Sequence, residues 1–297
     1  MNLVLIDRNI VSDIRKHNAG QRNHNFELAQ SVDKKKNFIS PLMSIIEGRF
    51  RNPQSYTKMH DTLVDESAEI SKFYKHARTD SEFLKSNSIQ MISVFSEQSA
   101  ADVAKYAPFV KFLQEKLADP VAEEKSLIVQ KEILEYAIDN FYCPGHPVTI
   151  CGLSCLHGNS AAHRVLKPKV YSSDEIESAA YNSLLDILIT NQLAYIGSFQ
   201  NKADNVIFLT RDIGLKNFLS QFRVAVKKRN FDRSADQEVV AYTAPLNIDL
   251  FPNLKKNTKK YDLLIEAIEI AERKTLIANP RLTSIARSIG AAGRKLF

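Results

Sequence analysis

The 297-residue chain is 44% hydrophobic with nine glycines and ten prolines, ample for a buried core built as one large or two modest domains. No apolar run approaches the roughly 18 residues of a membrane span, no basic leader with a small-residue cleavage site is visible, and three cysteines are too sparse and odd a set for a disulfide scaffold, so the expectation is a reduced, cytoplasmic protein with no membrane partner. The net charge of +6 is modest, but basic residues gather in the last third: Arg223, Lys227, Lys228, Arg229 and Arg233, then Lys255, Lys256, Lys259 and Lys260, then Arg287, Arg294 and Lys295. Such a stripe either attracts phosphate backbones or forms a solvated face.

The stretch LVLIDRNIVSDI opens with an apolar run, residues 3–6, that reads as a buried strand. After Asp7 the apolar positions Ile10, Val11 and Ile14 take helical spacing. Asp7 therefore stands where a strand hands over to a helix, the edge at which open α/β sheets bind ligands. In SPLMSIIEGRF, Ser40 is a good N-cap, Pro41 a favoured first helical residue, and Leu42, Ile45 and Ile46 share a face with Glu47 beside them. From about 51 to 142 the period is helical, with Phe73, Leu84, Ile92, Phe109 and Phe112 among the apolar positions, and no residue there is marked out for chemistry.

YCPGHPVTICGLSCLHGNSAAHRVL holds all three cysteines. Cys143, His146, Cys151, Cys155, His157 and His163 are residue types that ligate zinc, but their spacing does not make two tidy C-x₂₋₄-C pairs, and Cys151 and Cys155 read as small core residues. From about 171 the α/β pattern returns. SSDEIESAAYNSLLDILITNQLAYI opens with a serine cap and first-turn acids. NVIFLT is a β-rich run ending in Arg211 and Asp212, IGLKNFLSQF resumes helical spacing, and RVAV reads as a further short strand, a succession that indicates a parallel sheet. Beyond 231 lie an extended segment, the amphipathic helix YDLLIEAIEIAERKTLI and a last basic helix, with no internal repeat.

Four acids sit in awkward places. Asp7 and Asp212 each follow an apolar strand, and two parallel strands of one sheet would bring both to the same edge. Asp186 lies inside LLDILI, on a helix apolar nearly all round, where a lone ionised carboxylate costs several kcal/mol unless paired or metal-bound. Asn182 and Thr190 share its face. Each acid also has a plain structural role open to it: a helix cap for Asp7, a turn for Asp212, an arginine partner for Glu47, and a lysine of the preceding helical stretch for Asp186. Crowded together, they would instead need a compensating cation, and an oxygen-only donor set suits Mg²⁺ or Mn²⁺ rather than zinc.

In order and local setting, LVLIDRNIVSDI, SPLMSIIEGRF, YNSLLDILITNQLAYI and NVIFLTRDIGLKNFL resemble the four acidic motifs of the PIN-domain nucleases. The resemblance places the family's acids on Asp7, Glu47, Asp186 and Asp212, with Asn9 and Thr210 as companions. It implies a Rossmann-like α/β/α PIN-type parallel sheet and metal-dependent phosphodiester hydrolysis, usually of RNA. The core would be residues 1–50 and 171–230, with a large helical insertion at 51–170 and a basic C-terminal helical extension at 231–297. On that reading Asp7, Glu47, Asp186 and Asp212 hold Mg²⁺ or Mn²⁺, and Asn9, Asn182 and Thr210 orient ligands or waters. Arg223, Lys227, Lys228 and Arg229 line a nucleic-acid path, RNA favoured over DNA. A homo-oligomer is left open. The rivals are a non-catalytic nucleic-acid-binding module on the same fold and a hydrolase of phosphatase type using Asp7 as nucleophile; that class usually carries a second aspartate where this chain has Asn9.

Overall fold

The computed structural model describes residues 1–21, 25–44, 56–199, 205–222, 225–228, 240–243 and 246–278. The chain divides into two compact units, residues 1–105 with 195–216 and residues 106–194 with 217–297.

The first unit is α/β. Strands β1 (Asn2–Ile6), β2 (Asn37–Ser40), β3 (Arg78–Thr79) and β4 (Asn205–Leu209) form one sheet in the order β3-β2-β1-β4, and every neighbouring pair is parallel. A parallel strand is covered on both faces, which is why β1 is a continuous apolar run with Leu3, Val4, Leu5 and Ile6 all buried. Helix α1 (Arg8–Asn18) lays Ile10, Val11 and Ile14 onto Val4, Ile6, Ile39 and Leu209. The short helix α2 (Phe26–Gln30) adds Ala29, and the longer α3 (Tyr56–Phe73) adds Ile70, with Tyr74 just beyond it. Each such aliphatic side chain is worth about 1.5–3 kcal/mol when fully buried, so Ile10→Ala would remove a sizeable part of a domain's net stability.

Two expectations need correction. The stretch read as a helical insertion contributes α3 and β3 to the sheet unit. A strand of two residues leaves no alternation to read, and its parallel pairing with β2 is set by the tertiary packing rather than by local pattern. The RVAV segment does not extend the parallel sheet: β5 (Ala225–Lys228) pairs antiparallel with β6 (Val240–Thr243). Antiparallel neighbours need no crossover helix, so a strand close in the sequence is the cheaper partner to close onto.

Helix α4 (Ser81–Lys116) is broken at Asn87, whose φ of −120° and ψ of 15° are not helical. Apart from the β5–β6 pair, the second unit is helical, with α5 (Ser126–Asp139), α6 (Pro147–Leu156), α7 (Ser160–Leu166) and most of α8 (Ser173–Phe199); α9 (Ile213–Gln221) and α10 (Thr258–Ala278) follow in the chain. Its core carries stacked rings: Tyr106 on His146 at 3.9 Å, Phe109 on Tyr142 at 4.7 Å and Phe112 on Tyr136 at 3.9 Å between centroids. Among the described residues no helix is long and apolar enough to cross a membrane.

Candidate functional site

The register of β1 on β4 pairs Ile6 with Leu209, so the next residues, Asp7 and Thr210, meet at the C-terminal edge of the sheet. The Asp7 amide donates to the Leu209 carbonyl at 3.1 Å, extending the ladder by one rung. Asp7 is the N-cap of α1, its Oδ1 accepting from the Ile10 amide at 2.8 Å. It is also 2% exposed. Burial pushes its carboxyl above the usual carboxylate range, although the side chains of Thr210 and Asn9 and the amides of Ile10 and Asn9 all favour the charged form. A cap needs no charge; Asn or Ser serves as well. The buried acid is what capping leaves unexplained.

Thr210 is the link to the next acid. Its hydroxyl bonds Asp7 and accepts from the Asp212 amide at 3.0 Å. Asp212 is exposed and turns its Oδ1 to the Leu215 amide at 2.9 Å, capping α9. Between them Arg211 places its Nε 3.0 Å from Oδ2 of Asp13 in α1. The edge thus carries Asp7, Thr210, Arg211 and Asp212 on one short arc, braced by α1.

The other expected ligands stand differently. Glu47 lies outside the described residues, as do Arg223 and Arg229. Lys227 and Lys228 fall in β5. Asp186 belongs to the second unit, in α8, where it is mostly buried and its Oδ2 is 3.3 Å from Lys167 Nζ. Asn182, one turn before it, is half-buried, while Thr190 is buried and donates to the Ile187 carbonyl. Among the described residues no three or more His, Cys, Asp or Glu side chains gather into a group that could hold a metal ion. Asp7 and Asp212 belong to the first unit and Asp186 to the second.

Compared with protein-family profiles, with curated proteins and with solved structures, the chain matches none.

Besides the buried Asp13, two more acids of the first unit, Glu66 buried and Asp80 half-buried, escaped the sequence reading. Glu66 on α3 is 3% exposed, takes a short hydrogen bond from the Ser44 hydroxyl, and is pushed up by burial while the Arg8 and Arg15 charges draw it down. Asp80 follows β3 at the same C-terminal edge; burial lifts it to about 7 against a hydrogen bond from Ser40, and its Oδ1 has no hydrogen-bond partner among the described residues. Their chain neighbours are joined, the Ser81 hydroxyl donating to the Ser67 carbonyl at 3.0 Å. Glu66 was legible: Leu63 and Ile70, three residues before and four after it, are fully buried, so it interrupts an apolar face. Asp80 left no such signal, since two residues of strand precede it.

Of the cysteine and histidine segment, His146, Cys151 and His157 are buried, Cys143 and Cys155 half-buried and His163 exposed. His146 caps α6 through Nδ1, stacks on Tyr106 and meets the Asn191 side chain at 3.2 Å through Nε2. Cys151 is fully buried with its thiol facing the Ala162 carbonyl. His157 Nε2 meets Gln130 at 3.0 Å, and burial drops its pKa to about 4.

Proposed function

We propose that this chain is a nuclease of PIN type, hydrolysing phosphodiester bonds with the help of Mg²⁺ or Mn²⁺, RNA favoured over DNA. The observation that carries the reading is Asp7: a carboxylate shut from solvent at the C-terminal edge of a parallel sheet, given more hydrogen bonds than a cap requires and still disfavoured as an anion. A divalent cation beside it would offset that cost.

The donors fit such an ion in kind. Asp7, Asp212 and the Thr210 hydroxyl are all hard oxygens, and Mg²⁺ is commonly held by one or two carboxylates with the rest of its shell from water and phosphate oxygens. A bound divalent ion would supply Lewis-acid stabilisation of the scissile phosphate and a more acidic water. Thr210 orients the Asp7 carboxylate, the Asp212 backbone is pinned through the same hydroxyl, and the β1–β4 ladder holds both on rigid elements. Glu47 and Asp186 enter on motif resemblance alone.

A second reading, a nucleic-acid-binding module without catalysis, draws on the Lys167–Asp186 pair, in which an ammonium already gives Asp186 its counter-charge. Incubating the purified chain with a mixed RNA pool, with and without Mg²⁺ or Mn²⁺ and then with chelator, separates the two. Cleavage that needs the ion and disappears in Asp7→Asn supports the nuclease; binding with no ion-dependent fragment ends supports the module.

A further inference from the structure

Arg211 sits between the two motif residues Thr210 and Asp212, and the nuclease reading gives it no task. Its Nε lies 3.0 Å from Asp13 Oδ2, with side-chain exposures of 37% for the arginine and 2% for the aspartate. It makes no second ion pair among the described residues. Asp13 lies one turn after Ile10 on the buried part of α1, where an apolar side chain would pack without a desolvation penalty. Packing therefore does not account for the pair.

What the pair provides is a guanidinium drawn to one side by charge, its Nε 3.0 Å from Asp13 Oδ2. A guanidinium has five N–H donors in a rigid planar fork, so an aspartate holding one edge leaves donors on the other edge to face solvent. That outer edge suits the paired oxygens of a phosphate, which accept bidentate hydrogen bonds. Anchoring also removes most of the side-chain freedom that a loose surface arginine would lose on binding. The position matters as much as the geometry. Arg211 is one residue from Thr210, which bonds Asp7, and one from Asp212, so it offers positive charge beside two acids that would otherwise repel a polyanion.

We propose that Arg211, held in place by Asp13, is a phosphate-binding residue that grips the nucleic-acid backbone beside the Asp7–Asp212 edge; the choice of nucleic acid as ligand rests on the nuclease reading. Asp13 is its positioning residue. Contacts of this kind carry affinity without sequence information.

The test is binding of a labelled single-stranded RNA across a salt series in the presence of chelator, so that no cleavage is needed. Arg211→Gln should weaken binding for every sequence and lower the slope of log K against log salt by roughly 0.7, the value of one lost contact to a single strand. Arg211→Lys should keep the slope but not the full affinity. Asp13→Asn, with the cation present but unheld, should weaken binding at unchanged slope. Because Arg211→Lys preserves the counter-charge of Asp13, it keeps the comparison valid even if the other variants lose stability. An Arg211→Gln chain with wild-type affinity and slope, or a folded wild-type chain that binds no RNA, overturns the proposal. Wild-type binding that depends on Arg211 without any cleavage would leave this proposal standing and remove the nuclease reading. Cleavage with an Arg211-independent slope would do the reverse.

Discussion

Thr210 hydrogen-bonds the Asp7 carboxylate from the neighbouring strand while accepting the Asp212 amide at 3.0 Å, so one hydroxyl serves both acids of the sheet edge. Thr210→Val keeps the shape and deletes the bond. The buried carboxylate then loses a donor, at a cost of about 1–3 kcal/mol, and the 210–212 turn loses its internal brace. Ion-dependent RNA cleavage should fall steeply in Thr210→Val and largely return in Thr210→Ser, which restores the hydroxyl. Cleavage rates and thermal melts of the three chains check this. Equal loss in Val and Ser variants would point to methyl packing instead.

Asp80 should give the fold a pH dependence of unusual sign. Its carboxyl sits at about 7 in the folded chain against an ordinary 3.8, because burial disfavours the anion. Between about pH 4 and 7 the folded state holds a proton that the unfolded chain has released. Stability from this group is full below pH 4, falls as pH rises through that window and is flat above it. Asp80→Asn removes the effect, so the variant should gain on wild type progressively from pH 4 to 7 and keep that lead at pH 8. Denaturant titrations at each pH read it directly. Asp7 and Glu66 are raised as well and leave some slope of the same sign in both chains.

How far the sequence disclosed this arrangement depends on element length. β1 and β4 were readable because each carries four consecutive apolar residues after an asparagine and ends on a polar turn. Their parallel pairing brought Asp7 and Thr210 together, as two strand-end residues would be. Asp13 lay inside the stretch that disclosed Asp7, on the face of Ile10, but one polar residue beside a helix's apolar seam looks like its solvent boundary. Glu66 could have been found by the same gap in the seam of α3. Asp80 could not, because its strand is set by pairing with β2 and not by its own two residues. Asp186 was read as a buried acid on a greasy helix, and its partner, Lys167, comes from the C-cap of α7, where φ is 53°. Nothing in local periodicity announces such a left-handed cap.

His157 should act in the opposite sense to Asp80. Its ring is buried against Gln130, and its pKa falls to about 4, first through burial and then through the Lys260 charge. As pH drops through 6.5 the unfolded chain takes up a proton that the folded ring refuses until about 4. This contribution is complete above 6.5 and is lost on acidification through that window. His157→Gln should be less stable than wild type at pH 7.5, since it breaks a packed hydrogen bond, and the gap should narrow toward pH 4. A gap that stays constant across the series would mean the ring titrates normally in the fold.

Asp186 separates the two functional readings most cleanly. Its Oδ2 is 3.3 Å from Lys167 Nζ, and the lysine side chain is 47% exposed. A pair with one half-exposed partner contributes about 0–1 kcal/mol, so neither Asp186→Asn nor Lys167→Met should shift melting by much. If Asp186 acts only as the counter-ion of Lys167, both variants should cleave and bind RNA alike. If it serves the chemistry that the motif resemblance assigns, Asp186→Asn abolishes ion-dependent cleavage while RNA binding in chelator is retained. Lys167→Met, which removes the ammonium beside the carboxylate, keeps cleavage or raises it. Rates of both variants at saturating Mg²⁺, compared with their RNA affinities in chelator, decide it. Full activity in Asp186→Asn would strike Asp186 from the site and leave Asp7, Thr210 and Asp212 to account for any cleavage.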